Sequence, residues 1–107
     1  MKKTNKTTKQ QRNEIIEKFE KEFPLFLSKK LYEHYEKIKK EKMFNVVKNN
    51  ILTDAINKLS WNIENQKNSK DATDLYMKSL NELDTLVARL ENAQGIELIA
   101  LELKYSK

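Results

Sequence analysis

The sequence contains no cysteine, one glycine and one proline in 107 residues. Without cysteine, neither disulfides nor thiolate metal sites can form, so nothing in the chain requires an oxidising compartment. Nearly without glycine and proline, the chain lacks the residues that make tight β-turns, whereas charged residues reach 35%. This composition predicts an all-α protein with one small core.

The sequence also lacks a long apolar run and the pattern of a signal peptide. No stretch approaches the roughly 18 apolar residues of a membrane-spanning helix. The N-terminus MKKTNKTTKQQRNE has no apolar middle region. We therefore expect a soluble, cytoplasmic protein, for which contact with the inner face of the membrane stays open.

The net charge of +5 originates at one end of the chain. Residues 1–12 contain five basic residues and no acid, whereas residues 13–107 contain 16 basic and 16 acidic residues. This block predicts a flexible basic arm over residues 1–8, ahead of a single helical domain over residues 9–107. A solubilising terminus without a partner is the alternative. We assign five residues to a surface for a membrane or another anionic partner: Lys2, Lys3, Lys6, Lys9 and Arg12.

The first two predicted helices meet at Pro24. Helical spacing places four apolar residues of the first helix on one side: Ile15, Ile16, Phe19 and Phe23. Proline disfavours helical geometry in the residue before it and suits the first turn of a helix. We therefore expect the first helix to stop and the second to open at Pro24. The second helix has its own apolar stripe: Leu27, Leu31, Tyr35 and Ile38.

A third helix is predicted after a short break near residues 42–45, where Asn45 can cap it. A helix that continues through this point is the alternative. It runs to about Gln66 and has a broad apolar face suited to a bundle core. The residues of that face are Ile51, Leu52, Ala55, Ile56, Leu59 and Ile63.

A fourth helix is predicted over residues 71–94, after the polar loop QKNSKD. Ser69 or Asp71 can cap its start, and Gly95 is its natural stop, because glycine readily adopts the conformation that ends many helices. Its apolar stripe alternates spacings of four and three: Tyr76, Leu80, Leu83, Val87 and Leu90. The four stripes predict an antiparallel up-and-down four-helix bundle.

The C-terminal segment IELIALELKY is apolar on nearly every side and is predicted to fold back on the bundle. As a short helix it would have Ile96, Ile99, Ala100 and Leu103 on one face. The other face would carry Leu98, Leu101 and Tyr105. An extended strap is the alternative.

The chain offers few parts for catalysis. The single histidine, His34, has no partner ligand in the sequence, and one glycine cannot make a phosphate-binding loop. We therefore predict a non-enzymatic protein with no catalytic residue, metal site or cofactor. Glu33 and Glu36 interleave with the lysines of the second helix, which is typical of an ion-paired, solvated face and argues against nucleic-acid binding.

Trp61 is the largest apolar side chain on a polar face. On the third helix it lies about 150 degrees from the centre of the apolar arc. Either another part of the chain covers it, or it anchors a partner, as tryptophan often does at binding hot spots. The C-terminal segment has more apolar residues than one face of a short helix can bury, so they too are either covered by this chain or available to a partner. For the second interpretation we assign six partner-binding residues: Trp61, Ile96, Leu98, Leu101, Leu103 and Tyr105.

Three runs of the chain resemble the immunity proteins of class IIa, pediocin-like bacteriocins: LSKKLYEHYEKIKK (27–40), ILTDAINKLSWNIENQ (51–66) and DLYMKSLNELDTL (74–86). The resemblance implies a cytoplasmic antiparallel four-helix bundle that protects a bacteriocin producer from its own peptide. It implies recognition, from the inside, of the membrane components of the mannose phosphotransferase permease once bacteriocin has engaged them. In that family the C-terminal part carries much of the specificity, which here corresponds to residues 76–107. The basic arm and the very apolar ending depart from the family pattern.

Two other functions stay open. A small phage or plasmid accessory protein would bind nucleic acid or a replication or regulatory protein through the basic arm, and DNA binding of this kind would weaken steeply with salt. A structural homodimer would form through the C-terminal segment and would dissociate when that segment is removed.

Overall fold

The computed structural model describes residues 8–106, which form four α-helices and no strand. The helices are α1 (Thr8–Lys42), α2 (Val46–Glu64), α3 (Ser69–Asn92) and α4 (Ile96–Tyr105). The prediction of an all-α protein is confirmed. The predicted flexible arm lies outside the described residues except for Thr8, which begins α1. None of the described helices is both long enough and apolar enough to cross a membrane.

α1 is one continuous helix of 35 residues that passes through Pro24. The prediction that a first helix stops at Pro24 and a second one opens there is therefore wrong. A proline inside a helix removes one backbone hydrogen bond and costs about 3 kcal/mol. Here the Pro24 ring is fully buried and begins the buried stripe of α1. Tertiary packing around that stripe outweighs the local preference.

Asparagine caps begin both α2 and α3. The Asn45 side chain accepts a hydrogen bond from the Lys48 backbone N–H at 2.9 Å, as predicted. The Asn68 side chain accepts one from the Asp71 backbone N–H at 2.8 Å, so the prediction of Ser69 or Asp71 as the cap of α3 is wrong. Ser69 is already the first residue of the helix.

Gly95 separates α3 from α4. α3 ends at Asn92, and Gly95 occupies the cap position of α4 with φ +56° and ψ −123°. A residue with a Cβ is strained in this conformation, so glycine is the residue that fits the turn. The prediction that Gly95 stops the preceding helix is therefore wrong: α3 ends at Asn92 with Ala93 as its C-terminal cap, and Gly95 is the N-terminal cap of α4.

The core is formed by the apolar stripes of all four helices. From α1 it receives Leu27, Leu31, Tyr35 and Ile38. From α2 it receives Ile51, Leu52, Ala55, Ile56, Leu59 and Ile63. From α3 it receives Ala72, Leu83, Leu86, Val87 and Leu90, with Tyr76 and Leu80 partly buried beside them. α4 adds Leu101 and Tyr105.

Side-chain hydrogen bonds connect α1 with α2 and with α3 in opposite orders. From the N-terminal to the C-terminal end of α1, the residue numbers of its α2 partners decrease: Ser28 bonds to Glu64, Tyr32 to Asn57, and Tyr35 to Thr53. The residue numbers of its α3 partners increase in the same direction: Glu20 bonds to Ser69, His34 to Asp84, and Lys42 to Glu91. α4 packs against α2.

The first third of α1 lies outside the core. Every residue from Thr8 to Phe19 is exposed, and the first buried residue is Pro24. At 1.5 Å per residue, 35 residues span about 52 Å, against about 36 Å for the 24 residues of α3. The molecule is accordingly long, with principal extents of 70 × 23 × 19 Å.

Candidate partner-binding surface

Trp61 is exposed on the outer face of α2, with 64% of its surface accessible. Helical periodicity produces this position, because Leu59, Ser60 and Ile63 turn into the core and residues two apart on a helix point in different directions. The Trp61 carbonyl oxygen accepts a hydrogen bond from the Asn65 side chain at 2.7 Å. No described residue covers the indole.

A cleft of about 450 Å³ opens beside Trp61. Its lining comes from α2 and from the end of α4: Asp54, Asn57, Lys58, Trp61, Tyr105 and Ser106. The cleft therefore combines two aromatic rings with one acid, one base and two uncharged polar groups. A few polar groups around an apolar wall can orient a ligand while the wall supplies contact area.

α4 has one buried and one exposed face. Leu101 and Tyr105 are buried and Leu98 is partly buried. Ile96, Ile99 and Leu103 are exposed by 85%, 56% and 69%. The two faces are those predicted for a helical segment, and the extended strap is excluded.

Three of the six residues predicted to bind a partner therefore face their own chain: Leu98, Leu101 and Tyr105. A helix of only ten residues is marginal in isolation and needs tertiary packing along one side. These three residues keep α4 on the bundle. The exposed members of the predicted set are Trp61, Ile96 and Leu103.

Tyr105 connects α4 to α3 as well as lining the cleft. Its hydroxyl donates a hydrogen bond to the Glu82 carboxylate at 2.9 Å. Burial, followed by the hydrogen bond and negative charge of Glu82, raises the pKa of Tyr105 above its usual value. The hydroxyl therefore stays protonated and keeps donating to Glu82 through the physiological range.

Two of the five residues predicted to form an anionic-partner arm are described. Lys9 and Arg12 are both exposed in the first turns of α1. Lys2, Lys3 and Lys6 lie outside the described residues.

Sequence reasoning missed the full extent of an exposed apolar surface on α1. This surface, the α1 stripe, consists of the exposed Ile15, Ile16, Phe19 and Phe26 together with Phe23, which is partly buried and packs against the core. The rings of Phe19 and Phe23 stack with centroids 5.0 Å apart, and those of Phe23 and Phe26 lie 6.0 Å apart. Phe26 follows Phe23 by three residues and Phe19 by seven, a helical spacing that could have assigned it to the stripe. The expected helix end at Pro24 obscured that signal.

His34 is partly buried on α1, and its Nε2 lies 2.9 Å from Asp84 Oδ1 on α3. Among residues 8–106 no cluster of three or more histidine, aspartate or glutamate side chains is arranged to hold a metal ion.

Comparison of the chain with protein-family models, curated proteins and solved structures found no match.

Proposed function

We propose that this protein acts by binding, without catalysis, and that its partner contacts Trp61 and the exposed face of α4. The observation that carries the proposal is the exposed Trp61 beside a cleft that the end of α4 completes. Tryptophan is enriched among residues that dominate binding energy, and truncating such a residue typically costs 2 kcal/mol or more, which corresponds to about 30-fold in affinity.

The packing of α4 against the bundle holds this surface in place. Leu101 and Tyr105 anchor α4 in the core, and the Tyr105 hydroxyl bonds to Glu82 on α3. A partner would therefore meet a helix whose backbone is already held in place, which lowers the entropic cost of binding.

The more specific proposal is immunity to a pediocin-like bacteriocin. Its support is the resemblance of residues 27–86 to that immunity family, together with an exposed apolar face in the C-terminal part. Along α1, the residue numbers of its partners decrease on α2 and increase on α3, as expected when α2 is antiparallel and α3 parallel to α1. This order supports an up-and-down bundle.

In this proposal the protein works in the cytoplasm and recognises a bacteriocin-engaged permease from the inner side of the membrane. It binds the engaged state more tightly than the free state, so it shifts the receptor away from an open pore. The target and the bacteriocin are the two partners, and no cofactor is involved.

The test is protection of a bacteriocin-sensitive bacterium that expresses the protein. The wild type is expected to protect against at least one member of a panel of pediocin-like bacteriocins. Trp61→Ala and the double variant Ile99→Ser/Leu103→Ser are expected to lose that protection at equal protein level. All three side chains are exposed, so thermal unfolding of each variant should match the wild type.

Met77→Ser is the matched control, because Met77 is an exposed apolar residue on α3 outside this surface. It should protect like the wild type. Sensitivity of wild-type cells to every bacteriocin of the panel would overturn immunity. Full protection by both variants, Trp61→Ala and Ile99→Ser/Leu103→Ser, would overturn the assignment of the surface.

A further inference from the structure

α1 carries a second apolar face that the bundle leaves largely exposed, although Phe23 within it is partly buried and packs against the core. On a helical wheel the α1 stripe is centred about 100 degrees from the buried stripe. Near Phe26 and Leu27 both faces are present in the same turn of the helix. Phe26 is 50% exposed, whereas the adjacent Leu27 is 5% exposed. The stripe is therefore a surface of its own.

Cations stand at both ends of this surface. Arg12, Ile16, Phe19, Phe23, Phe26 and Lys30 follow one another at spacings of four and three, which places them in one line along the helix. The Lys30 ammonium lies 5.4 Å from the centroid of the Phe26 ring. At the other end, Arg12 is exposed, and three further lysines precede α1 in the sequence.

Two occupants fit this surface poorly. A second copy of the chain would bring Arg12 against Lys30 in an antiparallel pair or against Arg12 in a parallel pair, and facing like charges are destabilising. The segment MKKTNKT that precedes α1 contains one apolar residue, Met1, which is too little apolar surface to cover the roughly three turns from Ile15 to Phe26.

We propose that the α1 stripe binds the surface of an anionic lipid membrane. Ile15, Ile16 and Phe19 enter the boundary between headgroups and acyl chains, and the exposed Lys9 and Arg12 lie against the lipid phosphates. Stable membrane attachment generally needs two signals, and an apolar helix face combined with a basic cluster supplies both.

Glu22 is the acidic residue nearest to the α1 stripe: it is exposed and lies about 70 degrees from the centre of the stripe, at its edge. Three other acidic residues of this part of α1 point elsewhere. Glu14 and Glu17 lie about 150 degrees from the centre of the α1 stripe and so face away from the membrane. Glu20 accepts hydrogen bonds from the backbone and side chain of Ser69 on α3, which directs it toward the bundle. This inference uses residues other than Trp61 and α4 and does not depend on the proposed function.

The experiment is sedimentation of the full chain with vesicles of phosphatidylcholine alone or with about 30 mol% phosphatidylglycerol, in about 0.1 M salt. We expect at least tenfold stronger binding to the anionic vesicles. The double variant Ile16→Ser/Phe19→Ser should bind them about tenfold more weakly. Both residues are exposed, so the variant should unfold at the wild-type temperature.

Two control variants separate this surface from the others. Met77→Ser should bind vesicles like the wild type, and so should Trp61→Ala, because neither residue belongs to the α1 stripe. The Trp61→Ala result also separates the two proposals, since that variant is expected to lose protection and to keep its affinity for vesicles.

Three outcomes would overturn the proposal. They are no binding to the anionic vesicles, equal binding by the wild type and the Ile16→Ser/Phe19→Ser variant, and equal affinity for both vesicle types. In the first case an acidic helix of another protein would become the occupant that suits the two cationic ends.

Discussion

The two halves of α1 have comparable apolar stripes but very different surroundings. After Pro24, Leu27 and Leu31 are buried almost completely, whereas before it Ile15 and Phe19 keep 69% and 52% of their surface exposed. Both halves are regular helix. Apolar spacing of three and four residues thus marks a helix face that avoids water, but whether this chain covers that face depends on the reach of the neighbouring helices.

The contact of α1 with α3 that lies nearest to the boundary between the halves is made by Glu20. Its carboxylate accepts hydrogen bonds from the backbone and side chain of Ser69, the first residue of α3. An N–H in the first turn of a helix has no partner within the helix, so α1 supplies one. N-terminal to this contact α1 continues without a neighbouring helix, because α2 and α3 have 19 and 24 residues against its 35.

The largest expected difference between the halves is in stability. Leu31→Ala should lower the free energy of unfolding by about 3 kcal/mol, because Leu31 is fully buried and its truncation leaves a cavity. Phe19→Ala should change it by less than about 0.5 kcal/mol. Urea unfolding followed by circular dichroism measures both. A loss above about 1.5 kcal/mol for Phe19→Ala would show that the first half is covered after all.

The next largest effect is expected at the Glu20 contact. Glu20→Ala should lower the free energy of unfolding by about 2 kcal/mol, because it removes a charged acceptor and leaves the Ser69 N–H partly buried without a partner. Glu20→Gln is the matched control and should lose about half as much, because its amide oxygen can still accept one bond. Wild-type stability in Glu20→Ala would mean that this contact does not stabilise the fold.

Pro24→Ala should raise the free energy of unfolding by about 1.5 kcal/mol. Alanine restores a backbone N–H and removes the roughly 3 kcal/mol cost of proline in a helix interior, whereas the smaller buried side chain loses about 1.5 kcal/mol of apolar contact. Thermal unfolding gives the sign. A fall in stability would mean that packing of the Pro24 ring contributes more than the restored hydrogen bond.

The smallest effect concerns α4, which divides into a buried and an exposed face in the same way. Burial raises the folded-state pKa of Tyr105, so the contribution of Tyr105 is fully present below the unfolded-state pKa near 10 and is lost as pH rises toward the folded-state pKa. Wild-type stability should therefore fall more steeply than that of Tyr105→Phe as the pH rises from 9 to 10.5. Parallel pH profiles for the two proteins would contradict this role.

Much of the fold after Lys42 could be predicted from the residues alone. The cap at Asn45, the buried face of α2, the stripe of α3 and the two faces of α4 all follow from local periodicity and from the side chains at helix ends. The polar-face position of Trp61 could also be predicted, because one strong apolar arc defines the opposite side of the same helix.

The rest depends on contacts between distant residues. Pro24 is accommodated because its ring is buried in the core, and nothing in its immediate sequence indicates that burial. The Glu20 contact joins residues 49 positions apart. Periodicity predicts that Ile15, Ile16, Phe19 and Phe23 share a helix face. The exposure of that face follows from the unequal helix lengths, which depend on the continuity of α1.

The long axis of 70 Å has a consequence for how the molecule moves in solution. A rod-shaped particle rotates slowly end over end and quickly about its axis. The amide N–H bonds of α1 point along the helix, so their reorientation follows the slow rotation. Nitrogen relaxation should therefore report a correlation time for α1 longer than that of a sphere of 12.7 kDa, and adsorption of one end to a large vesicle should broaden these signals beyond detection.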